Sequence, residues 1–241
     1  MRRHSWRALL TITLTVPVIV GSSPLSAADD IMQKTRAMYV ALRSYADTGA
    51  VLYESGSIKD RHTFTTLLNR SPRRFVLDFV KMGGDRFVVW GDPEAFHTWW
   101  KTTGQVFDYP NPDNTAALSQ SGAHNYGVGN KIPTLLYGRA PLFSDFANFT
   151  DLEIEGTEDI GGKHCHRVSG TARDVYAATG REVNVRKMTV WIEVESLLIR
   201  KVVEQRKALP GEIWRTTTTY EPQANPTIDE KRLRFTPPEP R

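Results

Sequence analysis

Two histidines flank the only cysteine of the chain, His164-Cys165-His166, and these are the first residues that could do chemistry. On a strand, side chains at i and i+2 share a face, so the two imidazoles point one way and the thiol the other. A zinc site needs a third or fourth ligand. His62, His97 and His124 are scattered with no supporting spacing. The residues therefore predict no metal site, and Cys165 as a buried free thiol. A single cysteine also rules out an intrachain disulfide. The acids Asp151, Glu153, Glu155, Glu158 and Asp159 read as the solvated face of a hairpin rather than a catalytic pair. Gly127-Val128-Gly129-Asn130-Lys131 imitates a phosphate loop, but no strand pattern precedes it and Ile132 stands where glycine is needed. G-x-S-x-G, H-E-x-x-H and a Walker A sequence are all missing. With no nucleophile–base pair, the sequence predicts no catalytic residues, no cofactor and no enzymatic reaction.

What the chain has in quantity is apolar surface arranged in alternation. Phe75, Leu77 and Phe79 line one face of a strand pattern, and Phe87 with Val89 line the next. Phe96, Trp99 and Trp100 follow, then Val106, Phe107 and Tyr109. A curved sheet that encloses more apolar surface than it fills becomes a pocket for an apolar ligand.

The elements that must position these residues are mostly strands. Ile31, Thr35, Met38, Leu42 and Tyr45 recur at spacings of four and three and predict one leading helix, with Asp29 and Asp30 favourable at its N-terminus. Beyond Tyr45 the period is two. Strands are predicted over Thr48–Glu54, His62–Asn69, Arg74–Val80, Arg86–Trp90, Phe96–Lys101 and Gln105–Tyr109. After an interruption they resume over Asp151–Glu158, Lys163–Ser169, Glu182–Val194, Leu198–Gln205 and Glu212–Tyr220, with a terminal segment Ile228–Phe235. The turns between them are short, and short turns permit only antiparallel pairs. The interruption, Asn111–Asp145, carries Pro112, Pro133 and Pro141, with short helices plausible at Asn114–Ser121 and Ile132–Tyr137. Connections of this length are often lids or binding loops. The fold class expected is mainly β (α+β): about eleven antiparallel strands in a curved sheet or open barrel, with an N-terminal helix and a helical insertion packed on one face.

The first residues read as an export signal. Arg2, Arg3 and Arg7 precede the apolar run Ala8–Val20, and Ser26-Ala27-Ala28 supplies small residues before Asp29. This is the order of a cleavable secretory signal, and the run is too short to span a bilayer. The expectation is a signal over residues 1–28 and a single soluble periplasmic domain over 29–241. The chain has 31 Lys+Arg and 27 Asp+Glu. Without the three signal arginines the basic excess is one, so no nucleic-acid partner is expected.

Taken in order, these features resemble the LolA-like family of periplasmic lipoprotein carriers. The resemblance starts with the helix ending Leu42-Arg43-Ser44-Tyr45 and a glycine-containing strand. It continues through Arg70-Ser71-Pro72-Arg73-Arg74-Phe75, similar to an R-P-x-x-F turn, and the Trp191-Ile192-Glu193 hairpin leading to Leu198–Glu204. It closes with Tyr220, Asn225, Ile228 and Arg234-Phe235-Thr236-Pro237-Pro238. The resemblance implies a half-open antiparallel β-barrel whose concave apolar side is covered by a helical lid, here Asn111–Asp145. In the family that cavity carries lipoprotein acyl chains, and an arginine before the turn holds the lid closed. Arg70 matches that arginine, but Ser71 intervenes before Pro72, so Arg73 competes. The ligand-binding residues so implied are Arg70, Phe75, Leu77, Phe79, Phe87, Val89 and Trp99. Partners would be lipid or lipoprotein acyl chains and an inner- or outer-membrane protein. A second reading keeps the cavity but makes the protein a sensor or adaptor that signals to a partner.

Overall fold

The computed structural model describes residues 25–110, 131–136, 146, 148–176, 181–207 and 212–239. Most of the predicted signal, the Asn114–Ser121 helix and the greater part of the expected lid lie outside those residues. Helix α1 (Ala27–Ala41) leads into six strands. These are β1 (Ser44–Ser55), β2 (Ile58–Arg70), β3 (Arg73–Val80), β4 (Arg86–Gly91), β5 (Ala95–Trp100) and β6 (Val106–Pro110). A short helix, α2 (Ile132–Leu136), stands where a helix over Ile132–Tyr137 is predicted. Strands β7 (Phe149–Ile160), β8 (Lys163–Tyr176), β9 (Arg181–Glu193), β10 (Ile199–Lys207), β11 (Ile213–Tyr220) and the two-residue β12 (Gln223–Ala224) complete the sheet.

All pairs are antiparallel, and the order is β6-β5-β4-β3-β2-β1-β11-β10-β9-β8-β7, with β12 added to β1. The sheet is open, ending on β6 and β7. Two meanders, β1–β6 and β7–β11, meet where β1 pairs with β11, Val51 opposite Thr218. Tight turns drive the meanders. Gly161-Gly162 joins β7 to β8 with φ of 58° and 76°, a pair of left-handed conformations that suits a two-residue hairpin and that only glycine adopts without cost.

The sheet buries both faces unequally. The inner face carries the main core, to which α1 contributes Ala28, Met32 and Tyr39 and α2 contributes Ile132, Leu135 and Leu136. Ser26 caps α1, its hydroxyl accepting from the Asp29 N–H. The buried helical face is Ala28, Met32, Thr35 and Tyr39, flanked by Ile31 and Met38. Leu42 terminates the helix and Tyr45 lies on β1, so the helical period stops earlier than the sequence spacing predicts.

The terminal segment adds no strand to the sheet. It forms a 3-10 turn over Glu230–Leu233, capped by Asp229, whose carboxylate accepts from the Lys231 N–H. Ile228, Leu233 and Phe235 pack on the outer face against Leu67, Val76, Val88 and Trp99. Three separated apolar anchors hold it there, so it needs no edge to pair with. A smaller outer cluster joins Cys165, Trp191 and Val203.

Candidate functional site

Alternation places Phe75, Leu77 and Phe79 of β3, and Phe87 and Val89 of β4, on the inner face, each 5% exposed or less. Leu77 lies opposite Val89 and Phe79 opposite Phe87, whose rings stack at 6.4 Å. Phe75 lies opposite Gly91, and its ring occupies the space a Gly91 side chain would need. Phe64 covers Gly49 on the neighbouring hairpin in the same way. A glycine opposite an aromatic lets the ring lie along the sheet, so the strands curve without losing contact.

Trp99 does not join this group. It faces outward, in the cluster held by the C-terminal segment, with its ring 5.4 Å from that of Phe235. Its neighbours Phe96 and Trp100 take the inner positions on β5, and Phe96 stacks on Tyr109 at 4.4 Å. The expectation of Trp99 at the inner face is therefore corrected by the parity of β5.

Arg70 ends β2 on the inner side. Its Nε donates to the carbonyl of Leu42 at 2.5 Å and its Nη2 to the carbonyl of Tyr39 at 3.3 Å. The same Nη2 donates to the carbonyl of Leu136, the last residue of α2. One guanidinium thus serves the C-terminal ends of two helices, where unpaired carbonyls and helix dipoles favour a cation. Among the described residues it is Arg70, of the two competing arginines, whose guanidinium is bonded to the inserted helix. The Ser71-Pro72 bond that follows it is cis.

The other end of α2 is tied to the opposite half of the sheet. The Lys131 N–H donates to the Tyr220 hydroxyl at 3.3 Å, and Lys131 Nζ pairs with Glu204 Oε2 at 2.9 Å. Arg186 Nε reaches the second oxygen, Glu204 Oε1, at 3.1 Å, and all three side chains are only 11% exposed. Glu204 falls on an inward position of β10, two residues beyond the core residue Val202. A charged residue at an inward register is the only mark that Glu204 leaves in the sequence.

Asp47 is the second such residue. It is 3% exposed on β1, its carboxyl accepting from the Tyr45 hydroxyl at 2.8 Å and from the Thr66 N–H at 3.1 Å. Burial raises its pKa from 3.8 to about 7, against the opposing pull of those hydrogen bonds. Tyr39 completes the interior polar group: its ring is 5.6 Å from that of Tyr45, and its hydroxyl accepts from the Ile199 N–H at 3.0 Å.

The histidine pair lies apart from this site. His164 is exposed and bonded to Asp159 at 2.9 Å, while Cys165 is buried on the opposite face, where burial pushes its thiol up. Among the described residues no three His, Cys, Asp or Glu side chains gather as a metal site.

An open antiparallel sheet curved about an apolar inner face, with two helices contributing to the core on that face, is the architecture that the resemblance to the LolA-like family implies. Over residues 22–240 the chain belongs to the family described as "Predicted periplasmic protein (DUF2092)". No curated protein matches the sequence. Among solved structures it is similar to LprF from Mycobacterium bovis, at 14% identity and a TM-score of 0.50, covering 86% of this chain and 97% of that one. It is also similar to the lipoprotein LppX of Mycobacterium tuberculosis, at 11% identity and a TM-score of 0.47, with coverages of 83% and 96%. A LolA superfamily protein from Nitrosomonas europaea aligns at 9% identity and a TM-score of 0.35, over 88% of this chain and 99% of that one. Among the described residues no helix is long and apolar enough to cross a membrane.

Proposed function

We propose that this is a periplasmic carrier that takes an acyl chain, from a lipid or a lipoprotein, onto its inner face beneath α2, without altering it chemically. The observation that carries the reading is how α2 is held. Five residues cannot sustain a helix alone, and this one is kept in place by polar contacts at its two ends, Arg70 on one side and Glu204 with Tyr220 on the other. Its Ile132, Leu135 and Leu136 share one apolar cluster with Phe75, Leu77, Phe79, Phe87 and Val89 of the inner face. Exchanging the cover for a ligand would replace one apolar contact by another, so the inner face would stay out of water throughout. The gain is large: at about 0.8 kcal/mol per CH₂, a 16-carbon chain gains about 13 kcal/mol by leaving water. An inner- or outer-membrane protein would deliver or receive the cargo.

Native mass spectrometry of the purified periplasmic protein, with extraction of its bound lipid, tests the reading. Acyl-chain adducts recovered unmodified support it. An empty protein that takes up no fluorescent fatty acid would overturn it, and turnover of an ester would replace it with a hydrolase. The sensor alternative shares the same inner face, and transfer of the loaded ligand to acceptor vesicles separates the two.

A further inference from the structure

At the end of the barrel remote from Arg70, four adjacent strands finish together. Ser55 of β1 pairs with Ile58 across the β1–β2 turn and with Trp214 of β11. Trp214 pairs in turn with Arg206 of β10, and Ile213 with Lys207. The register therefore brings Ile58, Ile213 and Trp214 to one rim, where they are 66%, 59% and 41% exposed. Alternation turns Ile58 and Trp214 toward the inner side and Ile213 toward the outer.

The charges around them are one-sided. Lys59, Arg61, Arg206, Lys207 and Arg215 are all exposed on these strand ends. The acids beside them are engaged locally: Glu54 with Lys59 at 3.2 Å, Asp60 with His62 at 2.8 Å, and Glu212 with the Ser55 hydroxyl at 2.6 Å. Arg61, Lys207 and Arg215 have no acidic partner among the described residues. The Arg206 guanidinium lies over the Trp214 ring at 4.1 Å, an apolar plate with a cation on top.

We propose that this rim is a docking surface for an anionic lipid bilayer. Exposed isoleucines and a tryptophan among unneutralised Lys and Arg suit the boundary between headgroups and acyl chains. There the apolar side chains leave water while the long cationic ones stay with the phosphates. The cations supply the charge complementarity that selects such a surface over a neutral one. These exposed rim residues lie beyond the buried lining of Phe75, Leu77, Phe79, Phe87 and Val89, and the proposal does not depend on what that lining binds.

Flotation of the exported protein with vesicles tests this. Vesicles containing phosphatidylglycerol should carry several-fold more protein than pure phosphatidylcholine ones, and binding should fall as salt rises from about 0.1 to about 0.5 M. Ile58→Ser with Trp214→Ser, and separately Lys207→Glu with Arg215→Glu, should each cut flotation several-fold. Because the side chains are exposed, the thermal midpoint and fatty-acid uptake should stay the same. No flotation with anionic vesicles, equal flotation with neutral ones, or rim variants that float like wild type would overturn the proposal. Rim variants that float normally but lose a soluble protein partner would make the rim a protein interface instead.

Discussion

The Arg70 guanidinium donates to the carbonyl of Leu136, 66 residues further along the chain, and so joins the end of β2 to the end of α2. Arg70→Leu keeps a comparable aliphatic stem and removes the donors. Hydrogen bonds to a charged group are worth about 1.5–3 kcal/mol, so urea unfolding should register a loss of that order. The more telling readout is exposure of the inner face. Dye binding by the folded variant should rise above wild type, and unchanged dye binding would show that α2 does not rely on Arg70.

The Phe75 ring and Gly91 should behave as one unit. Phe75→Ala is expected to cost about 3–5 kcal/mol. Gly91→Ala should also destabilise, because the new methyl enters the space of the ring. The double variant should cost less than the sum, since the smaller residue at 75 makes room at 91. Strict additivity in a double-mutant cycle would mean that the ring and the glycine are not coupled.

Glu204 pairs with two largely buried cations, Lys131 and Arg186. Glu204→Gln keeps the shape but removes the negative charge that pairs with both cations. Removing one partner of a buried pair costs about 3–5 kcal/mol, and Lys131→Met, which takes away only one cation, should cost less. A chemical-denaturation midpoint lower for Lys131→Met than for Glu204→Gln would contradict this assignment.

Asp47 gives the protein a defined pH dependence. Its pKa is about 7 when folded and about 3.8 when exposed, so between those values the folded state holds a proton that the unfolded state has released. Stability from this group is full below about pH 4 and declines as pH rises to about 7, with no further loss above. The thermal midpoint should therefore fall between pH 5 and pH 7, and Asp47→Asn should flatten that part of the profile. A profile identical in the two proteins would remove Asp47 as its cause.

Export is expected to yield a chain beginning at or near Asp29, measurable as an intact mass. Processing after Ala28 would also remove the Ser26 cap and the buried Ala28 from α1. A cap is worth about 1 kcal/mol, so the processed helix should fray more at its first turn. A periplasmic product that retains Met1–Ala28 would count against a cleaved signal.

The strands were legible because alternation and turn residues agree over most of the chain, from the β1–β2 turn at Gly56-Ser57 to the glycine pair at Gly161-Gly162. Alternation was less informative where both faces are buried. Trp99 and Trp100 are adjacent and equally apolar, and only the register of β5 on β4 makes one an outer residue, covered by the C-terminal segment, and the other an inner one. Asp47 and Glu204 escaped notice for a related reason: a lone acid in a strand reads as solvated until the register shows it facing inward. Arg70 is implied by the family resemblance at the turn it precedes, with Arg73 as competitor, and its partner carbonyls, being backbone, leave no trace in residue type.

The pairing of β1 with β11 also governs when the protein can fold. Residues 44–55 wait for residues 213–220 before the middle of the sheet exists. The meanders β1–β6 and β7–β11 can each form from neighbouring strands, since their pairings span short loops, whereas the seam between them joins the two ends of the domain. Contacts so distant in sequence slow folding. A chain threaded across a membrane from its N-terminus would hold β1 with one edge unpaired until nearly its last strand had emerged. The segment that packs outside β1–β5 follows β11 in the chain, so the outer face is covered only after the strand that closes the seam has emerged.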